Sequence, residues 1–284
     1  MIASDRKDRK GRKDRRRMER ITSVGNARIK RLVSLRQKAR TRRETKSFVI
    51  EGIRLFLDTP DSFIREIYLD ENYLSEVHEA AILDRLSRHQ TFAVTPEVFA
   101  KVSDTVTPQG MLAVVSMPEY TADRILDGGS QHSHLILLLE DIQDPGNLGT
   151  MFRTAEAAGA DGIIMTGNTV DVFNPKVVRS TMSAVFRVPF VYTDDMAGTV
   201  RKLQERGIRV FAACLEDSAD YAGADYSKSC AVLIGNEGSG LKRETIAAAD
   251  SRIVIPMKGE IESLNAAVSA AVILFEAQRQ RRMQ

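Results

Sequence analysis

The sequence predicts an α/β protein: a small amino-terminal α/β unit, then a larger domain with a mostly parallel sheet covered by helices on both faces. Three observations carry this expectation. After residue 46, short apolar runs alternate with helical stretches, the pattern of strands joined by helical crossovers. Between Met117 and Ser133 apolar density falls while Pro118, Gly128, Gly129, Ser130, His132 and Ser133 collect, which marks a linker over residues 118–133. A length of 284 residues with 43% hydrophobic content is enough for packed cores in two ordinary domains.

Residues 1–20 have almost no apolar side chains and read as a basic arm, disordered without a partner. From Asn26, the apolar residues Ile29, Leu32, Val33, Leu35 and Ala39 recur at helical spacing, with Arg28, Lys30, Arg31, Arg36, Lys38 and Arg40 between them. That pattern predicts one amphipathic helix with a cationic face over residues 26–43. A strand at 48–50 is ended by Gly52, and a helix follows at 53–57. A strand at 64–69, a helix around 75–86, a strand at 91–94, a short helix from Pro96 and a strand at 111–116 complete a unit spanning 21–117.

The domain over 134–284 alternates more regularly. A strand at 135–139 leads to a helix at 147–158 closed by Gly159, then a strand at 162–165. A helix opens at Asn174-Pro175, where proline at the first helical position is well tolerated. A strand at 188–192, a helix at 194–206 closed by Gly207, strands at 208–214, 231–234 and 252–255, and a final helix at 263–278 follow. Ligand is expected at the carboxyl ends of such strands.

The net charge of +3 conceals an asymmetry. Residues 1–46 hold 19 Lys and Arg against 5 Asp and Glu, a net +14, and the rest hold 22 against 33, a net −11. A concentrated positive segment on an acidic body points to a polyanionic partner, because cations that neutralise phosphates release counterions. Cys214 and Cys230 each sit in an apolar run and read as core residues. Two thiols without CxxC spacing provide no disulfide framework, in keeping with a reducing cytoplasm. The charged start has no apolar stretch behind it, so no secretory signal is expected, and no run reaches the roughly 18 apolar residues of a membrane span. His132 and His134 are expected to face solvent in the linker, and no metal-ligand spacing occurs.

Three segments carry the chemistry: Asn147-Leu148-Gly149 with Arg153, then Gly235-Asn236-Glu237-Gly238-Ser239-Gly240-Leu241, then Ile255-Pro256-Met257 running on to Ser263-Leu264-Asn265. Each follows a predicted strand. The glycine-rich loop is not a P-loop, because Leu241 stands where the lysine after the second glycine belongs. Nor is there a dinucleotide fingerprint, since Glu140-Asp141-Ile142-Gln143-Asp144-Pro145-Gly146 lacks its glycine spacing. What remains is a loop of bare backbone donors and acceptors able to wrap an adenine or ribose, with the carboxylate of Glu237 among glycines. Taken singly the features have plainer readings: glycines permit tight turns, Arg153 is a solvated surface charge, and Ser263 caps the last helix. Asn265 is harder to dismiss, because an amide just inside a helix has poor propensity.

Taken together, the segments resemble the SpoU/TrmH family of RNA ribose 2′-O-methyltransferases of the SPOUT superfamily, over about residues 134–280. The matching positions are Asn147, Gly149, Arg153, Thr154 and Ala155, all of 235–241, and Ile255-Pro256-Met257, Gly259 and Ser263-Leu264-Asn265. Phe48-Val49-Ile50-Glu51-Gly52 is similar to the L30e-like substrate-binding domain that many members carry. The resemblance implies a trefoil-knotted α/β domain that binds S-adenosylmethionine, a rare exception to unknotted chains. It implies cofactor contacts at Gly235, Asn236, Gly238, Ile255, Met257 and Leu264. It also implies a catalytic set of Arg153, Glu237, Ser263 and Asn265, with Asn147 in support, and a homodimer formed through this domain. RNA rather than DNA follows from the reaction, since only RNA has the 2′-hydroxyl. Ribosomal RNA is favoured over transfer RNA by the amino-terminal domain. Methylation of a base nitrogen and a non-catalytic ribosome-assembly factor of the same fold are the alternatives.

Overall fold

The structure, a computed structural model, describes residues 18–127 and 133–283. Residues 1–17, most of the expected arm, and His132 lie outside the described residues. The chain forms two compact units, one of residues up to 118 with Phe173–Pro175, the other of residues 119–172 and 176 onwards.

The first unit is built on five strands: β1 (Glu19–Ile21), β2 (Ser47–Glu51), β3 (Ile64–Asp70), β4 (Gln90–Val94) and β5 (Met111–Ser116), in the order β1-β4-β3-β5-β2. β4 is parallel to both neighbours, and β5 is antiparallel to both of its own. The expected arm therefore gives way to structure by Glu19, and Ile21 is buried in the core.

The single helix expected over 26–43 is two helices, α1 (Ala27–Gln37) and α2 (Ala39–Thr45), separated by Lys38 in an extended conformation. No glycine or proline marks the break. Arg42 stabilises it by folding back, 3% exposed, to donate to the carbonyls of Leu35 and Arg36 at 2.8 and 3.0 Å, which the end of α1 would otherwise leave without partners. Ile29, Leu32 and Leu35 enter the core as their spacing predicts. The cationic face is only partly free. Arg28 pairs with Glu66 at 2.9 Å and Arg36 with Asp104 at 2.7 Å, whereas Lys30, Lys38 and Arg43 are exposed. After α3 (Ile53–Asp58), the helix expected around 75–86 is likewise two, α4 (Glu71–Glu76) and α5 (Ala80–Arg88), and α6 (Pro96–Val102) follows.

The second unit opens with α7 (Ala122–Leu126), inside the stretch read as linker. Its Ile125 is 1% exposed and packs with Ile164 and Leu203 in the core. The sheet then comprises β6 (Leu135–Leu139), β7 (Gly162–Thr166), β8 (Phe190–Thr193), β9 (Arg209–Ala213), β10 (Ala219–Asp220), β11 (Cys230–Ile234) and β12 (Ser251–Val254). Their order is β10-β12-β9-β11-β6-β7-β8 and every pairing is parallel. β6, β7 and β11 are buried at every residue, as continuous apolar runs in a sheet covered on both faces require. Between these strands lie α8 (Pro145–Ala158), α9 (Pro175–Thr181), α10 (Met196–Glu205) and α11 (Arg243–Ala248), and α12 (Ala266–Arg281) ends the fold. α8 packs against α12 and α10 against α11.

Three local expectations are corrected here. His134 is 9% exposed rather than solvent-facing, its carbonyl held by Arg281 at 2.6 Å and by the Cys230 amide at 2.8 Å. Cys230 is a core residue, and burial raises its thiol pKa to about 11, but Cys214 is only partly buried and sits at the end of β9. The last helix is capped by Asn265, whose Oδ1 accepts from the amides of Ala267 and Val268 at 2.9 and 3.3 Å; Ser263 lies ahead of the helix.

Candidate active site

Because the sheet is parallel, all its strands deliver their next residues to one edge, and the three segments singled out above meet there. The loop after β11 is closed on itself. Asn236 and Gly240 exchange backbone hydrogen bonds at 3.1 and 3.0 Å, and the Asn236 Oδ1 accepts from the amides of Gly238 and Ser239, both at 2.9 Å. Gly240 has φ +69°, which favours glycine, and a Cβ on Gly235 would lie 2.4 Å from the carbonyl carbon of Gly240 and 2.5 Å from the Leu241 nitrogen. Both obstacles are backbone, so the turn demands glycine at 235.

The loop is fastened to the end of β6. Asn236 Nδ2 donates to the Asp141 carbonyl at 2.8 Å, and Lys242 Nζ pairs with the Asp141 carboxylate at 3.0 Å. Glu140, 2% exposed, accepts from the Lys242 amide at 2.8 Å and the Thr245 hydroxyl at 2.7 Å. Burial opposes the charge on Asp141, yet the Thr166 hydroxyl and the Lys242 ammonium outweigh it and hold that carboxyl below its ordinary range. Residues 140–146 entered the sequence reading only to exclude a dinucleotide site, so their anchoring role was missed. An acidic residue directly after the apolar run Leu135–Leu139 was the available signal.

A chain of side chains links the three segments. Asn265 Nδ2 donates to Asn147 Oδ1 at 2.9 Å, and Asn147 Nδ2 donates to Glu237 Oε1 at 2.9 Å. Glu237 also accepts from the amides of Gln143 and Asp144, each at 3.0 Å. Partial burial works against ionisation of Glu237, but the Asn147 amide and these backbone donors outweigh it and lower its pKa. Asp144 caps α8 through the Asn147 amide at 2.8 Å, so Glu237 grips the start of that helix. Gly149 lets α8 lie against α9, since a Cβ there would sit 2.3 Å from the Ser180 Cβ. Arg153, one and a half turns on, is exposed.

Beside this chain lies a cleft of about 440 Å³ at the ends of β9, β11 and β12, within the range of small-ligand sites. All six expected cofactor residues, Gly235, Asn236, Gly238, Ile255, Met257 and Leu264, line it, as do Glu237 and Ser263. Asn147, Asn265 and Arg153 are not in its wall. The cleft also takes Cys214, Leu215 and Glu216 from the end of β9, and Glu262 from the last segment. Sequence reading passed over these, although the carboxyl-end rule for parallel strands applies to β9 as much as to β11.

Comparison with known proteins agrees with this geometry. Residues 134–275 match the SpoU rRNA Methylase family, and residues 26–113 match the MRM3-like substrate binding domain. The chain is 33% identical over 261 residues to the 23S rRNA (guanosine(2553)-2′-O)-methyltransferase RlmP of Bacillus subtilis, covering 91% of this chain and 98% of that protein. Among solved structures, an AdoMet-bound rRNA methyltransferase from Sinorhizobium meliloti is 33% identical with a TM-score of 0.78, covering 92% of this chain and 98% of that one. The SpoU methyltransferase AviRb from Streptomyces viridochromogenes, in complex with AdoMet, is 30% identical with a TM-score of 0.80, covering 90% and 98%. On the motif geometry and these matches together, the chain belongs to the SpoU rRNA Methylase family.

Proposed function

We propose that this protein transfers the methyl group of S-adenosylmethionine to a ribose 2′-hydroxyl of ribosomal RNA. The observation that carries the reading is the Asn265–Asn147–Glu237 chain, which joins all three motif segments beside a cleft of cofactor size. The cleft fits that cofactor. Its glycine loop exposes backbone to polar edges, and Ile255 and Leu264 offer apolar walls for an adenine. When bound, the cofactor supplies an electrophilic methyl group on sulfur.

The chain's own residues supply placement and charge. Glu237 acts as a positioning residue, its carboxylate occupied by three N–H donors that fix the start of α8. Arg153 is a poor proton acceptor, since its guanidinium stays charged. Its role is to hold the target phosphate and stabilise the developing alkoxide, while a neighbouring phosphate or solvent takes the hydroxyl proton. Ser263 lines the cleft, which supports a place for it in the methyl-transfer site. Residues 134–284 form the knotted catalytic domain and residues 21–117 the RNA substrate-binding domain, where the exposed Lys30, Lys38 and Arg43 provide phosphate contacts.

The protein acts as a homodimer in the cytoplasm. Supporting the dimer, Val268 and Phe275, seven residues apart on one face of α12, are large apolar side chains that are 46% and 44% exposed. Among the described residues no helix is long and apolar enough to cross a membrane. Incubation with labelled S-adenosylmethionine and unmodified ribosomal RNA tests the activity. Label in the RNA is expected, and its absence across ribosomal and transfer RNA alike would refute it.

A further inference from the structure

We propose that the cofactor cleft selects S-adenosylmethionine over its demethylated product by charge, through Glu216 and Glu262. This rests on the cofactor reading above. Three acidic residues, Glu216, Glu237 and Glu262, are in the cleft wall, and among the described residues no Lys, Arg or His is. Of the cations next to wall residues in the chain, Lys242 is paired with Asp141, and Lys258, after Met257, is exposed and outside the wall. Glu237 is held by three N–H donors that offset its field. Glu216 and Glu262 lie on two different segments of the wall, after the neighbouring strands β9 and β12, and are exposed.

Methyl transfer changes the cofactor's charge by one. As the S–CH₃ bond breaks, its electron pair stays on sulfur and the sulfonium becomes a neutral thioether, while the amino-acid and nucleoside parts keep their charges. An acidic cleft therefore attracts the reactant more than the product, and apolar wall residues such as Ile234, Ile255 and Ile273 reduce the screening between them. Product release is favoured by the same asymmetry, since the reaction itself removes the attraction. One exposed carboxylate in the cleft wall changes affinity for a unit charge by roughly threefold.

Calorimetric titration of the full chain with S-adenosylmethionine and with S-adenosylhomocysteine, at low and moderate salt, tests the proposal. The unaltered protein is expected to prefer the sulfonium form, and added salt should erode that preference. Glu216→Gln and Glu262→Gln should each narrow the ratio about threefold while S-adenosylhomocysteine binds as before, which also shows that the variants are folded. If both ligands bind but the ratio ignores salt and both substitutions, the charge selection is refuted and the cofactor reading stands. If neither ligand binds the unaltered protein, both fall. Should a variant not fold, the salt response of the unaltered protein decides alone.

Discussion

Asn265 caps the last helix with its Oδ1 and, through its Nδ2, donates to Asn147 on α8 at 2.9 Å. One side chain thus uses its acceptor to start a helix and its donor to tie that helix to another segment of the site. The two uses are chemically separable. Asn265→Asp keeps the cap and loses the donor; Asn265→Ala loses both. Asn265→Ala is expected to lower stability by about 1 kcal/mol, read from denaturant unfolding, and both variants should lose most methyl transfer. Full turnover in Asn265→Asp would show that the tie to Asn147 is dispensable.

The lowered pKa of Glu237 has a pH consequence. Its folded value lies below the unfolded one, so its contribution to stability is complete above the unfolded value of about 4.3. That contribution is lost as pH falls through the folded value. Melting temperature measured down the acid limb should fall less steeply in Glu237→Gln than in the unaltered protein. At neutral pH the variant should melt lower, because an amide nitrogen then confronts N–H donors. Identical acid limbs would contradict the hydrogen-bonded role.

Gly235→Ala sets a Cβ against the backbone of Gly240 and Leu241. Opening that turn should cost about 1–3 kcal/mol and weaken cofactor binding at least tenfold, as measured by calorimetry. Gly223→Ala, where a Cβ meets nothing within 4 Å and no left-handed φ is involved, is the control and should bind normally.

Arg153→Ala should abolish transfer while cofactor affinity stays within about twofold, because Arg153 is not in the cleft wall. Arg153→Lys keeps a charge but not the two-pronged donor, so its turnover should stay far below normal. Near-normal turnover in Arg153→Lys would argue against phosphate holding by a guanidinium.

Much of the architecture was legible because apolar runs buried on both faces leave little choice but a parallel sheet, and its turns fall where Gly159 and Gly207 end helices with φ of +72° and +75°. The meeting of the three segments at a candidate site was legible for a related reason: glycines, amides and lone charges directly after strands are costly unless used. What stayed hidden depended on which of several equivalent groups wins. Ser263 and Asn265 are both good caps, and only the packed structure selects Asn265. The break at Lys38 rests on Arg42 folding back onto carbonyls, a contact no periodicity reveals. Ile125 sits in a sparse polar stretch yet is buried, because one well-placed apolar side chain suffices to dock a single turn. Likewise Cys214 reads as core until the strand's end turns out to be cleft wall.

The central claim is methyl transfer to a ribose oxygen, and its most direct test is mass-spectrometric mapping of ribosomal RNA nucleosides from cells with and without this protein. Loss of one 2′-O-methylated nucleoside, restored by the unaltered chain but not by Arg153→Ala, is the predicted result. A lost mark on a base instead of a ribose, or an unchanged nucleoside profile, would contradict it.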